Sequence, residues 1–195
     1  MKVNGDFMSN EDKIKDYLDK NYGYITTSEI LNMNISKPLI KKYVENGLLR
    51  KVSHGLYIDN NLLQDDEYIF QRRYPEAIFS YNTALYFLNL SNRAPNKIEI
   101  TLSNRKRISC DYEVHYISDK YYDIGIIEIE SMFGNPIRIY NAERSICDML
   151  RNGDFELELQ NTVLRNYFRS KDKDLDKLLE YAKIFKIYDK VNTLV

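Results

Sequence analysis

Residues 36–58 read SKPLIKKYVENGLLRKVSHGLYI, and this stretch decides the fold of the first part of the chain. Ser36 caps a predicted helix, Pro38 lies in its first turn, where a missing N–H costs nothing, and Gly47 is a natural helix stop. Two short segments of strand character follow around a tight turn, Leu48–Val52 and Gly55–Ile58. The stretch therefore predicts a helix followed by a β-hairpin.

Two further predicted helices precede it. Ser9 and Asn10 are suitable caps for a helix that runs to about Asn21. Thr26 and Glu29 form the capping-box pattern T-x-x-E at the start of a second, short helix, which a brief turn separates from the third. Helix, helix, turn, helix and hairpin is the order of a winged helix-turn-helix. In that fold the third helix enters the major groove of DNA and the hairpin, or wing, lies along the backbone.

Charge placement favours the same interpretation. At about 100° per residue, the third helix separates an apolar arc from a basic arc. The apolar arc holds Leu39, Ile40, Tyr43 and Val44, and the basic arc holds Lys37, Lys41 and Lys42. Residues 36–58 carry a net charge of +4, whereas residues 1–35 carry −2. Positive charge is thus concentrated on the two elements that would contact DNA.

The predicted DNA-binding residues are Ser36, Lys37, Lys41, Lys42, Arg50, Lys51 and His54. The lysines of the helix would place it in the major groove, with Ser36 at a phosphate or a base edge, and the three wing residues would hold the backbone. Two plainer interpretations stay open. In the first, the lysines form only the solvent-exposed face of an amphipathic helix. In the second, His54 is an ordinary polar residue at a hairpin tip.

The remaining two thirds of the chain alternate between helical and strand patterns. Predicted helices are Asp66–Arg73, Thr83–Leu90 and one capped by Asn141; predicted strands are Ala77–Ser80, Lys97–Leu102, Glu113–Ile117, Gly125–Ile129 and Pro136–Tyr140. The last forty residues are helical, and a stripe from Leu175 to Phe185 is expected to pack into the core, with a partner groove as the alternative. The predicted fold class is α+β: a winged helix-turn-helix over 1–60 and a larger mixed α/β domain over 61–195 that ends in helices.

Composition limits the function classes. The 195 residues carry 28 Lys and Arg against 29 Asp and Glu, so the net charge is −1 and nucleic acid would have to bind at a local patch. The N-terminal sequence lacks an apolar segment, and no run of about 18 apolar residues occurs, so secretion and membrane spanning are not expected. Cys110 and Cys147 match no zinc spacing. We expect a cytoplasmic protein with reduced thiols.

The sequence offers little for catalysis. It has no Gly-rich phosphate loop and no G-S followed by paired aspartates, the pattern of a nucleotidyltransferase. Asp111, Glu113 and His115, and likewise Glu128 and Glu130, alternate on predicted strands as in a Mg²⁺ nuclease, but no Lys occupies the expected E-x-K position. Alternating charges on a half-exposed strand are the preferred explanation. We expect no catalytic residue, no cofactor and no metal site.

Three blocks of sequence carry a resemblance to a known family. Residues 73–90 read RYPEAIFSYNTALYFLNL, residues 95–101 read PNKIEIT, and residues 139–148 read IYNAERSICD. In this order they resemble the "YP-x-A-x-x-S-x-x-T-A-L", "P-x-x-I-x-x-T" and "E-R-T/S-x-x-D" blocks of AbiEi-type antitoxins, and Gly55-Leu56-Tyr57 resembles the family's wing strand. The motif residues Tyr74, Pro75, Ser80, Thr83, Arg144 and Asp148 are expected to be structural.

The resemblance implies a type IV toxin–antitoxin system of the abortive-infection type, which defends bacteria against phage. The winged helix would repress its own operon at operator DNA, expected as inverted repeats in the promoter that two copies occupy. The C-terminal domain would counter a nucleotidyltransferase-like toxin encoded next door, without a stable complex being required. The alternatives are a stand-alone winged-helix regulator with a ligand-sensing or dimerisation domain, and a defence nuclease.

Overall fold

The computed structural model describes residues 8–153 and 155–194, and the chain divides into two compact units. The first unit comprises residues 1–70 and 131–135, and the second comprises residues 71–130 and 136–195. The sequence predicts a boundary after residue 60, whereas the structure groups residues 61–70 and the loop 131–135 with the first unit. Residues 1–7, Asp154 and Val195, which the predicted domains include, lie outside the described residues.

The first unit contains the predicted order of elements. They are α1 (Asn10–Lys20), β1 (Tyr24–Thr26), α2 (Thr27–Asn32), α3 (Lys37–Glu45), β2 (Leu49–Ser53) and β3 (Leu56–Asp59). Ser9 caps α1, where its hydroxyl accepts a hydrogen bond from the Asp12 amide at 3.1 Å. The capping box at α2 is complete, because Thr26 and Glu29 each accept from the other's backbone N–H. The predicted winged helix-turn-helix is confirmed.

The strands of the first unit form an antiparallel sheet in the order β1-β3-β2. The sequence pattern did not predict β1, whose three residues form a strand because Tyr24, Ile25 and Thr26 pair with β3. One face of the sheet packs with the helices around a core that includes Ile14, Leu18, Ile25, Ile30, Ile40, Tyr43 and Leu49. This core fixes the position of α3 against the wing.

Asp65 organises the segment that follows the wing. It is fully buried, and its carboxylate accepts hydrogen bonds from the Tyr68 amide at 3.0 Å, from Asn135 Nδ2 at 2.6 Å and from the Ser131 hydroxyl. Its own amide donates to the Tyr24 hydroxyl at 3.1 Å. A buried carboxylate needs such donors, and these bonds tie the segment and the loop 131–135 to the first unit.

The second unit is a five-stranded sheet covered by helices. Its elements, starting with the helix that spans the unit boundary, are α4 (Asp66–Arg73), β4 (Ile78–Phe79), α5 (Tyr81–Phe87), β5 (Glu99–Ser103), β6 (Glu113–Ile117), α6 (Asp119–Tyr122), β7 (Ile126–Glu130), β8 (Pro136–Tyr140), α7 (Ala142–Arg151), α8 (Leu157–Arg169), α9 (Leu175–Ile184) and α10 (Tyr188–Asn192). The strand order is β6-β5-β4-β8-β7; β5–β6 and β4–β8 pair in parallel, and β4–β5 and β7–β8 pair antiparallel. The predicted α+β class is confirmed.

The C-terminal helices supply the core of the second unit. The predicted stripe on α9 lies in it, with Leu178, Ala182 and Phe185 buried among residues of α5, α7 and α8. This is the arrangement that the core interpretation of the stripe predicts. Among the described residues, no helix combines the length and the apolar character that crossing a bilayer requires.

The motif residues of the second unit hold elements together. Arg144 is fully buried; its Nε donates to Asp148 at 2.8 Å, and its Nη1 donates to the carbonyl oxygens of Tyr121 and Ile124 at 2.8 Å each. Ser80 and Thr83 are also buried and bond the β4–α5 junction to β5. These contacts explain why this part of the sequence carries polar residues in its core.

Candidate functional site

Helix α3 presents its cations on one side. Ile40 and Tyr43 are 4% exposed each and pack into the core, whereas Lys37, Lys41 and Lys42 are all exposed. The helix ends as expected, because Gly47 follows it with φ +77°, a conformation that glycine adopts without steric cost. The basic arc read from the sequence is therefore a solvent-facing surface.

The serine hydroxyl at the start of α3 is available to bind a ligand. Ser36 occupies the N-cap position, but its side chain makes no capping hydrogen bond, and the residue is exposed. The first turn holds no acidic residue. Of the first three helical residues, Pro38 has no N–H and the Leu39 amide donates to the Ser36 carbonyl oxygen at 3.0 Å. The Ser36 hydroxyl, the Lys37 charge and the positive end of the helix dipole therefore provide an environment that favours an anion.

The lysines differ in their local partners. Lys41 Nζ lies 3.6 Å from the Glu45 carboxylate one turn away, and both side chains are largely exposed. Such a pair contributes little stability in water, so a phosphate can displace Glu45 at small cost. Within the described residues, Lys37 and Lys42 have no ion pair. The charge on this face is thus available to a ligand.

The wing adds two exposed residues. Lys51 lies opposite Tyr57 on β2, and His54 stands in the turn at the wing tip. Gly55 closes this turn with φ +71°, and its carbonyl oxygen accepts a hydrogen bond from the Thr27 amide at 2.8 Å. That bond joins the wing turn to the start of α2, so the wing is held by the helical part of the same unit.

Arg50 has different surroundings from the other predicted residues. It is half-buried and pairs with Ile58, so its side chain lies on the opposite face of the strand from that of Lys51. Its Nη2 donates to the Leu62 carbonyl oxygen at 2.8 Å, and its Nη1 lies 3.5 Å from Gln64 Oε1. The guanidinium therefore holds the segment after the wing, and the structure does not group it with the exposed lysines.

The first unit thus combines a winged helix-turn-helix with an exposed basic face on α3 and a wing that carries Lys51 and His54. Residues 12–58 match the family model described as "Transcriptional regulator, AbiEi antitoxin". The match covers the chain from α1 through most of β3 and confirms the resemblance over the winged helix. The blocks between residues 73 and 148 lie outside the matched segment.

The fold of the chain resembles a solved structure as well. It superimposes on the crystal structure of the RV2827C protein from Mycobacterium tuberculosis with a TM-score of 0.58 and 12% sequence identity, over 91% of this chain and 72% of that chain. At that identity the likeness concerns the fold alone. No curated protein matches the chain in sequence.

The acidic residues considered for a nuclease do not come together as one group. Glu128 and Glu130 lie on β7, at the opposite edge of the sheet from β6, which carries Glu113 and His115. Glu113 and His115 do meet a third residue, Glu99 on β5. Sequence reasoning missed Glu99, because only the pairing of β5 with β6 brings it beside them.

Proposed function

We propose that this protein is a DNA-binding autorepressor and antitoxin of an AbiE-like system. The observation that carries the proposal is the exposed basic face of α3, formed by Lys37, Lys41 and Lys42, in a unit whose sequence matches AbiEi antitoxin regulators. The helix would lie in the major groove with Ser36 at its start, and Lys51 and His54 would contact the backbone from the wing. Arg50 would act indirectly, by holding the segment behind the wing.

The side chains on the basic face of α3 indicate contacts to phosphates more than recognition of bases. Lysine contributes a flexible point charge, whereas the planar guanidinium of arginine is preorganised for bidentate recognition of guanine, and this face of α3 has no arginine. The four lysines at positions 37, 41, 42 and 51 would therefore mainly position the protein on phosphates. Selectivity would come from two copies on an inverted repeat in the protein's own promoter. Since that DNA is cytoplasmic in bacteria, the proposal also places the protein in the cytoplasm.

Binding to promoter DNA as a function of salt tests the proposed interface. Four phosphate contacts per unit predict a log–log salt slope of about −3.6 for each bound copy. The double substitution Lys41→Ala/Lys42→Ala should reduce that slope by about 1.8 and weaken binding about tenfold or more at 0.1 M salt. The measurement is a fluorescence anisotropy titration at four salt concentrations.

A matched control comes from the same unit. Lys13 and Lys15 are exposed lysines on α1, and Lys13→Ala/Lys15→Ala removes the same charge from a helix outside the proposed interface. This variant should keep most of the wild-type slope. A salt response that is flat, or that falls equally in both double variants, would reject the assignment of α3.

The second unit would counter the toxin. The family implies a nucleotidyltransferase-like toxin, encoded by the neighbouring gene, as a functional partner that need not form a stable complex. Growth after co-expression with that gene product tests this part: the full chain should restore growth. No rescue, with the protein present at normal levels, would exclude the antitoxin role.

One observation favours a second candidate function, that of a stand-alone regulator which senses a ligand. The second unit contains an open cleft of about 240 Å³ with polar walls, which could hold a small molecule or an ion. In that case the neighbouring gene would encode no nucleotidyltransferase-like protein, and operator affinity would change when the cleft is filled.

A further inference from the structure

Polar side chains form most of the lining of the cleft in the second unit. It lies beside β5, β6 and the start of α8, and its polar lining includes Asn82, Arg93, Glu99, Glu113, His115 and Glu156. The motifs of the AbiEi resemblance assign no role to this group of side chains. Three of them, Glu99, Glu113 and His115, each offer a ligand atom, and these atoms all lie within 4.8 Å of one another.

Strand pairing brings the three side chains to one face. Strands β5 and β6 run in parallel with Glu99 opposite Glu113 and Thr101 opposite His115. Since alternate residues of a strand share a face, Glu99, Glu113 and His115 all project to the same side of the sheet. The cluster is therefore fixed by the backbone of two neighbouring strands, and it does not depend on a mobile loop.

Two of the three are held rigidly. Glu99 is 7% exposed; its Oε1 accepts from Asn82 Nδ2 at 2.7 Å, and its Oε2 lies 2.8 Å from His115 Nε2. The His115 ring stacks on Tyr81, with 3.8 Å between the ring centroids. Glu113 is exposed and completes the group from the solvent side. A site with two fixed members and one accessible member is organised before a ligand arrives.

Nearby cationic groups do not fully balance the negative charges of Glu99 and Glu113. Glu99 and Glu113 are directly opposite on neighbouring strands, where two like charges destabilise the pairing. Arg93 also lines the cleft, but its Nη1 is bound to Glu156 at 3.0 Å. His115 balances at most one of the two carboxylates, and only when it carries a proton on both ring nitrogens.

An independent observation comes from Asn82. Its Oδ1 is buried and has no hydrogen-bond partner, although its Nδ2 is bound to Glu99. Buried acceptors without a partner are rare in folded proteins, so this oxygen adds an unsatisfied acceptor next to Glu99. The residues that line the cleft thus include carboxylate, amide and imidazole groups, whose oxygen and nitrogen atoms can donate electron pairs.

We propose that Glu99, Glu113 and His115 form a binding site for a divalent transition-metal ion. Two carboxylate oxygens and one imidazole nitrogen are a donor set suited to Zn²⁺ or Mn²⁺, and Mg²⁺ should bind more weakly because it prefers oxygen ligands and water. The ion takes the place of the hydrogen bond between His115 Nε2 and Glu99 Oε2, and both atoms become its ligands. The open cleft leaves further coordination positions to water or to a small ligand.

Isothermal titration of the metal-stripped full chain with Zn²⁺, Mn²⁺ and Mg²⁺ tests the proposal. One Zn²⁺ or Mn²⁺ should bind per chain, and Mg²⁺ should bind at least tenfold more weakly. Glu113→Gln should weaken Zn²⁺ binding about tenfold or more, and His115→Gln should do the same. Glu113 is exposed, so its substitution leaves the core intact, and circular dichroism verifies the fold of both variants.

The matched control is Glu128→Gln, which removes an exposed strand glutamate from the opposite edge of the sheet. It should bind Zn²⁺ as the wild type does. A Co²⁺-loaded sample should lack thiolate charge-transfer absorption, which excludes Cys110 and Cys147 as the ligands. Absence of binding at 100-fold excess of metal over protein, or equal binding by wild type, Glu113→Gln and His115→Gln, would overturn the proposal. Neither outcome bears on DNA binding, since the α3 lysines are untouched.

Discussion

At the level of single residues, burial gives the two cysteines different chemistry. Cys147 is fully buried on α7, and burial raises the pKa of its thiol from the ordinary 9.0 to about 12, with the nearby Asp148 carboxylate adding to the rise. Cys110 is only half-buried. Because the thiolate is the reactive form, Cys147 should be inert in the native protein and Cys110 should react.

Thiol titration checks this expectation. At pH 8 an aromatic disulfide reagent should modify one thiol per native chain and two per chain in denaturant. Cys110→Ser should reduce the native count to zero. Rapid modification of Cys147 in the native Cys110→Ser variant would contradict the structure around α7.

The raised pKa of Cys147 also predicts how the free energy of unfolding changes with pH. Above pH 9 the unfolded chain loses the Cys147 proton while the folded chain keeps it, so the free energy of unfolding should fall as pH rises from about 9 to 12. Replacing Cys147 by Ala removes this contribution. Urea unfolding at pH 8 and pH 10 should therefore show a smaller decline for Cys147→Ala than for the wild type.

Single residues also mark the limits of prediction from sequence. The amphipathic pattern of α3 placed Lys37, Lys41 and Lys42 on its exposed face, because helical periodicity is a local property. The partners of Arg50 and Glu99 depend on contacts between segments distant in the chain: the Leu62 carbonyl in one case and strand β6 in the other. Local pattern carries no information on such pairings.

At the level of elements, the two N-caps of the helix-turn-helix differ in what their side chains do. Thr26 is part of a complete capping box at α2, whereas Ser36 makes no side-chain bond at α3. Both residues occupy an N-cap position, although Thr26 also belongs to β1 and is partly buried, whereas Ser36 is exposed. The contrast separates a residue that stabilises the unit from one that is available to a ligand.

Alanine substitution at each cap tests the contrast. Thr26→Ala should lower the free energy of unfolding by about 1 kcal/mol, because an α2 amide loses its acceptor. Ser36→Ala should change stability by less than about half of that, yet weaken operator binding. Urea unfolding and DNA titration of the two variants provide the measurements. Equal destabilisation by both substitutions would argue against the free Ser36 hydroxyl.

Prediction of the elements succeeded where their signals were local. The bounds of α4, β6 and β8 agree with the sequence pattern, since each combines regular alternation or periodicity with a clear end. The strand β1 and the short helix α6 were not predicted. Three residues are too few for a periodic signal, and β1 exists because β3 offers it a partner.

At the level of the whole molecule, the two units carry separate kinds of chemistry. The exposed lysines of α3 belong to the first unit, and the carboxylate and imidazole cluster belongs to the second. The proposed function assigns repression to one and antitoxicity to the other. Variants in one unit should therefore change one activity alone.

Co-expression with the neighbouring gene product from an unrelated promoter tests this separation. Lys41→Ala/Lys42→Ala should derepress a reporter under the native promoter and still restore growth as the wild type does, because toxin neutralisation would not require DNA binding. The Lys13→Ala/Lys15→Ala control should retain both activities. Loss of rescue by the α3 variant at wild-type protein levels would show that the two activities are not separable.

The position of the two-residue strand β4 in the sheet has a consequence for synthesis on the ribosome. β4 pairs with β5 on one side and with β8, about sixty residues later in the chain, on the other. Translation adds about 5–20 residues each second, so β7 and β8, which complete the sheet, are synthesised up to several seconds after β5 and β6. By then every helix and strand of the DNA-binding fold has been synthesised. Ser131–Asn135, which belongs to the first unit, is synthesised later, as the loop between the two strands that complete the sheet.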